Sequence, residues 1–379
     1  KRNLCQRTFE EGRGAMSNTA TVLAFDFGAS SGRAIRAVYD GQNLTYEEIH
    51  RFENVPIEKD GHLCWDVETL LKEIHTAIQK AGTFDSLGFD TWGVDFGLLD
   101  TDGHLLANPV HYRDARTNGK PEQAAACMPA EELYAHTGNQ IMAINTLFQL
   151  LALCEQDPEL LQKAEQILFM PDLFAALLGA EPVCERSIAS TSQMLDPRTG
   201  QWSREVLAAY GLNENHFASL VASGTVTGTL TTGAKIIAVA GHDTQCASAA
   251  MPCAEEDAEH TAFLSCGTWS LLGTELDTPI LTADSCQSGL SNELGANGKI
   301  NYLKNIIGLW LIQESRREYK RRGQAYSFAE LEQQALAAEP LRSFIDPDAP
   351  EFVAPGDLPG RIQEFCRKTG QPVPETVGA

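Results

Sequence analysis

The chain has 379 residues, 43% hydrophobic and 21% charged, which is ordinary for a globular protein and long enough for two domains with cores of their own. Lysine and arginine number 29 against 51 acidic residues, and the formal charge of -22 repels nucleic acid and anionic membranes, so neither is expected as a partner. The same field repels nucleotides, so a nucleotide site here has to rest on local backbone N–H groups and a metal ion.

No apolar run approaches the ~18 residues of a membrane span. Residues 1–19 carry charge without an apolar stretch, and Met16 stands just before the first strand-like run. They are expected to be a non-core extension rather than a secretory leader. The ten cysteines are scattered, with no CxxC pair and no paired-histidine pattern. They read as reduced thiols in a cytoplasmic protein.

In chain order, TVLAFDF over 21–27 predicts an apolar strand. A Gly/Ser turn follows over 28–32, then strands over 33–38 and 44–52. Val67, Leu70, Leu71, Ile74 and Ile78 fall at helical spacing and predict an amphipathic helix over 66–80, with Asp66 as its cap. A strand over 86–89 runs into DTWGVDFGLLD. Residues 119–222 read as mainly helical, most clearly over 146–155 and 171–178. The Gly/Thr-rich stretch 223–233 predicts a domain boundary there or just after, dividing the chain into 20–235 and 236–379. Beyond it come a strand over 235–240, a turn over 241–244, a short helix from 245, and strands over 261–265 and 269–274. AFDFGASSGRAI and AFLSCGTWSLLG echo one another as strand–turn–strand, which suggests two related halves.

Several stretches carry candidate chemistry. In Asp26–Arg33, Gly28 and Gly32 allow close backbone approach to a phosphate, Ser30 and Ser31 offer hydroxyls, and Asp26 could hold a hydrated Mg2+. Plain hairpin geometry accounts for the same residues equally well. No GxxxxGK[ST] occurs, so a Walker-type loop is excluded. Gly267 and Thr268 in the second hairpin could clamp terminal phosphates, or simply turn the chain. Asp243 after a strand and a glycine suits a base that takes the proton of an attacking hydroxyl, although a helix cap explains it too. His242 beside it could bind a hydroxyl. Trp92, flanked by Asp90 and Asp95 with Gly93 between, fits an aromatic platform with carboxylates for a sugar, or a packed turn. Arg113 and Arg116 read by default as surface ion pairs.

Taken together, DFGASSGR, DTWGVDFGLLD, YRDARTNG, GHDT, SCGTWS and LKNIIGLWLIQE resemble the rhamnulokinase group of the FGGY carbohydrate kinases, within the actin-like ATPase superfamily, over residues 20–379. The resemblance implies an α/β fold of two actin-like, ribonuclease H-like domains with mixed sheets, flanking helices and a cleft. It implies transfer of a phosphoryl group from ATP, with Mg2+, to the 1-hydroxyl of L-rhamnulose, in L-rhamnose breakdown. It assigns Asp243 as proton acceptor, Gly93 and His242 to the sugar, Ala29, Ser30, Ser31, Gly32 and Arg33 to the first phosphate loop, and Thr268, Asn305 and Gln313 to ATP. From pattern alone, Asn305 would be a turn residue and Gln313 an exposed helix residue. Relatives of this kind continue further, so the second domain and its nucleotide side are expected to be incomplete, 327–379 poorly ordered, and kinase activity weak or absent. The alternatives are an L-fuculose or xylulose kinase of the same family, or a sugar-binding regulator without transfer activity.

Overall fold

The computed structural model describes residues 19–254, 257, 260–352 and 356–379. The expected extension falls outside them, apart from residue 19. Among the described residues two compact units emerge: 19–137 with 141–249 and 294–298, and 138–140 with those of 250–293 and 299–379.

The first unit is built on a six-stranded mixed sheet. One side of it is a meander of β1 (Ala20–Phe27), β2 (Ser31–Tyr39) and β3 (Leu44–Glu53), all antiparallel, with β3 at the edge. Leu23, Phe25 and Phe27 alternate along β1 and are fully buried, the period-2 pattern of a half-covered strand. Phe25 stacks on Phe89 at 4.8 Å and Phe27 on Phe174 at 4.9 Å. Gly32 has a packing reason of its own: a Cβ there would lie 2.3 Å from the Phe52 ring.

On its other edge β1 pairs in parallel with Ser86–Thr91, which pairs in parallel with Lys235–Ala238. The antiparallel strand Thr225–Thr229 closes the sheet. Lys235–Ala238 therefore lies within the sheet of the first unit, which runs on through Ala249, rather than opening the second domain at 236. The Gly/Thr-rich stretch marks a hairpin approach to that strand, because turn residues serve hairpins as readily as linkers. The helix Val67–Ala81 is capped by Asp66, which accepts from the Thr69 amide, and buries Leu70 and Ile74.

The second unit carries a four-stranded sheet in the order Phe263–Cys266, Trp269–Leu276, Ile300–Ile307, Leu290–Leu294. Its first hairpin is the predicted echo of β1–β2. Gly28 N–H donates to Ser31 O at 2.9 Å, and Gly267 N–H donates to Trp269 O at 2.9 Å. The stretch 327–379, expected to be poorly ordered, forms the helices Phe328–Ala337 and Leu358–Lys368. Buried Ala349, Phe352 and Leu358 pack there with Leu311, Ile345, Ile362 and Phe365. This small core supplies the partners that the sequence pattern alone did not reveal. No disulfide joins the described cysteines, and no described helix is long and apolar enough to cross a membrane.

Candidate active site

In the first unit the candidate residues gather at the carboxyl ends of the three parallel strands, the usual location of ligands on such sheets. Asp26 and Asp90 stand opposite one another in register. Thr91 N–H donates to Gly241 O at 2.8 Å, and a parallel bridge joins Thr91 to His242. The Trp92–Asp95 turn and the Gly241–Asp243 turn therefore run side by side. Asp243 opens the helix Asp243–Ala249, two residues earlier than the sequence suggested, and its carboxylate accepts from the Thr244 amide at 2.6 Å. The His242 Nε2 lies 3.4 Å from Asp243 Oδ1. A Cβ at Gly93 would come within 3.4 Å of the Thr191 side chain and 3.5 Å of His242 Nε2. Gly93, Thr191, His242 and Asp243 thus share one neighbourhood.

The electrostatics of this corner are acidic. Burial raises the Asp90 carboxyl well above its usual range, and Asp26 and Asp243 raise it further, with Arg33 opposing. Burial also raises Asp243, against His242 and the Thr244 amide. A carboxylate so raised is a better proton acceptor than a solvated one. A hard, oxygen-seeking cation such as Mg2+ would offset the mutual repulsion of these three carboxyl groups, although their oxygens do not all come within 4.8 Å of one another, as the ligand atoms of Asp100, Asp102 and His104 do. Asp26 already pairs with Arg33 through Nε at 2.7 Å and Nη2 at 2.6 Å, both to Oδ2.

Ala29 and Ser30 form the tip of the turn between β1 and β2, with Ser30 and Arg33 exposed. Asn54, just past β3, braces the turn: its amide donates to Ser30 O at 3.1 Å and its side chain to Gly28 O at 3.0 Å. Ser31 and Gly32 are already part of β2.

Two expected sugar contacts have a different role. Asp95 is only 1% exposed. It accepts from Trp65 Nε1 at 2.6 Å, Trp92 Nε1 at 3.0 Å, the Tyr112 amide at 3.2 Å and Gln149 Nε2 at 2.8 Å. Four protein donors occupy the carboxylate, so Asp95 holds the scaffold rather than a sugar hydroxyl. Trp92 is 6% exposed and tilted against Trp65 at 4.0 Å, and is no open platform. Trp65 stacks in turn on His111 at 4.1 Å. Arg116, read from sequence as a surface ion pair, is half-buried, donates to Gln149 Oε1 at 2.9 Å and feels the Asp95 charge. Between these residues Val94 adopts φ +68°, a left-handed conformation costly for a β-branched residue. Its amide donates to Thr191 Oγ1 at 3.2 Å, and its carbonyl accepts from Thr146 Oγ1 at 2.6 Å. A strained backbone pinned from both sides, next to Gly93, marks the turn as a built feature. Trp65, Gln149 and Thr191 had no signal in the sequence, since each acts through a partner distant along the chain.

Burial holds the His111 imidazole at a pKa of about 3, against the usual 6.5. The folded value lies below the unfolded one, so this contribution to stability is present above pH 6.5 and is lost as the pH falls. Between pH 7.5 and pH 5 the loss is about 2 kcal/mol. In urea unfolding, the stability gap between the parent and His111→Gln is expected to narrow by that amount over the interval. A gap independent of pH would contradict the assignment.

In the second unit the sequence-predicted residues Gly267, Thr268 and Gln313 meet. Thr268 Oγ1 lies 3.5 Å from Gln313 Oε1, and the Gly308 and Trp310 amides donate to Thr268 O, each at 3.2 Å. Gly308 is sterically required, because a Cβ would sit 2.2 Å from Ser270 Oγ. Asn305 lies within the strand Ile300–Ile307, not in a turn, and its amide donates to Gln140 Oε1 at 3.3 Å.

The chain has relatives that give its family. Residues 21–249 match the N-terminal domain of the FGGY family of carbohydrate kinases, and residues 262–379 match its C-terminal domain. A rhamnulokinase of Bacteroides thetaiotaomicron is 42% identical over 369 residues, covering 94% of this chain and 75% of that protein. One from Enterococcus faecalis is 39% identical over 373 residues, covering 94% and 74%. Among solved structures, a ligand-bound xylulose kinase from Lactobacillus acidophilus superposes with a TM-score of 0.68 at 15% identity, covering 84% of this chain and 66% of that one. Plasmodium falciparum glycerol kinase with ADP gives 0.64 at 14%, covering 86% and 68%. At such identities the structures speak to the fold alone. The chain belongs to the FGGY family of carbohydrate kinases.

Proposed function

We propose that this protein transfers the γ-phosphoryl group of ATP to the 1-hydroxyl of L-rhamnulose, giving L-rhamnulose 1-phosphate and ADP, in the breakdown of L-rhamnose in the cytoplasm. The observation that carries this reading is Asp243, a raised carboxyl at the carboxyl ends of the parallel strands, with His242 beside it and Gly93 across a narrow gap. Rhamnulokinases at about 40% identity over nearly the whole chain supply the choice of sugar.

In this mechanism His242 and the backbone at Gly93 orient the ketose so that its 1-hydroxyl faces Asp243. Asp243 accepts the hydroxyl proton as the oxygen attacks the γ-phosphorus, and the bond to the ADP oxygen breaks. The Ala29–Arg33 tip contacts phosphates from the first unit, and the Thr268, Asn305 and Gln313 set belongs to the nucleotide. Mg2+, held through Asp26 and its waters, would neutralise charge on the transferring phosphates.

A panel of ketoses in an ADP-release assay tests the substrate. L-Rhamnulose is expected to give the highest kcat/KM. Preference for L-fuculose or xylulose would overturn the sugar assignment. Binding of ketose by calorimetry with no ATP-dependent phosphorylation would favour a sugar-binding regulator instead.

A further inference from the structure

One buried acid has no part in the mechanism above, yet it touches the turn that carries Asp243. Glu185 ends the strand Val183–Glu185 and is 1% exposed. Its carboxylate accepts from five donors. Three belong to the short helix that follows: Ser187 N–H at 2.9 Å, Ser187 Oγ at 2.5 Å and Ile188 N–H at 3.2 Å. The other two come from remote segments, Ser223 Oγ at 2.6 Å and the Gly241 amide at 3.1 Å.

A cap for a four-residue helix requires only the first three. Burying a carboxylate is costly, and a helix cap is filled as well by serine or threonine. The remaining two bonds are what an acid adds, and one of them holds the residue two before Asp243. Gly241 is fixed on both of its polar atoms, since its carbonyl accepts from Thr91 N–H at 2.8 Å. It is also packed tightly, because a Cβ there would come 2.8 Å from Pro171 Cγ and 3.1 Å from Ile188 Cβ. The turn into Asp243 is thus clamped between the Thr91 strand end on one side and Glu185 on the other.

We propose that Glu185 is a positioning residue, its carboxylate anchoring the Gly241 amide and so setting where the His242–Asp243 pair stands. The consequence for catalysis rests on the reading of Asp243 as the base, whereas the anchoring itself does not. Gln at position 185 keeps the shape but turns one acceptor oxygen into a donor, facing amides that also donate.

Hydrogen exchange of the full chain, with Glu185→Gln against the parent, tests the anchor. Exchange over 241–246 is expected to speed up at least about tenfold, the effect of losing a charged acceptor, while exchange along β1 stays unchanged. Turnover of L-rhamnulose should fall by a similar factor. Unchanged exchange over 241–246, or acceleration spread evenly over the chain, would overturn the proposal. If Glu185→Gln does not fold, Ser223→Ala serves, with acceleration of several-fold confined to the same segment expected, and none contradicting the anchor. If the parent shows little or no turnover, the exchange result alone decides the role of Glu185.

Discussion

Replacing Asp243 with asparagine is expected to lower turnover by about 10²–10⁴-fold, the usual contribution of a positioned general base, with little change in sugar affinity. Asparagine preserves the shape and can still accept from the Thr244 amide, which donates to Asp243 Oδ1 in the structure. It removes the ability to take a proton. The sugar contacts assigned to His242 and Gly93 lie on residues that the change leaves in place. The split is therefore diagnostic: kcat falls while the dissociation constant from calorimetry holds. Unchanged turnover would reduce Asp243 to the opening residue of a short helix. A parallel collapse of sugar affinity would make it a binding group instead.

The second large effect is on stability, at Asp95. Asp95→Ala strands the Trp65 and Trp92 indole N–H groups and the Tyr112 amide without their acceptor, and leaves the Gln149 amide group only its carbonyl acceptors, Ile144 O at 2.9 Å and Val94 O at 3.4 Å. It also removes a countercharge from the half-buried Arg116 guanidinium. Breaking a buried charged network of this kind costs about 3–5 kcal/mol, read by urea unfolding at pH 7.5. A loss under about 1 kcal/mol would contradict the role of Asp95 as the acceptor at the centre of the site scaffold. The pH dependence has a definite sign. Burial raises the Asp95 carboxyl to about 6 from the usual 3.8. The native state therefore binds this proton more readily, and the associated stability is present below the unfolded value and is lost as the pH rises through 6. The gap between parent and Asp95→Ala should widen by about 1 kcal/mol on going from pH 7.5 to pH 5. This is opposite in sign to the His111 effect, so the two variants together separate the groups.

The sequence was legible where chemistry is local. The β1–β2 hairpin, the Asp66-capped helix and the strand–glycine–Asp243 order each depend on neighbours a few residues apart, and each stands in the structure. Side-chain roles that depend on distant partners were not legible. Trp92 and Asp95 look like a sugar platform until Trp65 and Gln149 arrive from 27 positions before Trp92 and 54 after Asp95 and occupy them. Gly32 reads as a phosphate-loop glycine, but Phe52 on β3 requires its small size. Glu185 carries no motif at all, because its importance lies in one bond to an amide 56 residues away. The composition of the preceding link puts a boundary through the strand Lys235–Ala238, whereas its pairing keeps the whole strand in the first sheet, since pairing partners are set by tertiary register.

The central claim is phosphoryl transfer to a ketose hydroxyl at the Asp243 turn. Its most direct test is ¹³C and ³¹P NMR of the product after incubating the protein with ATP, Mg2+ and L-rhamnulose. A phosphomonoester on C1, formed in step with ADP and lost with Asp243→Asn, is the predicted result. ADP appearing without a sugar ester, or a C1 ester formed undiminished by Asp243→Asn, would contradict it.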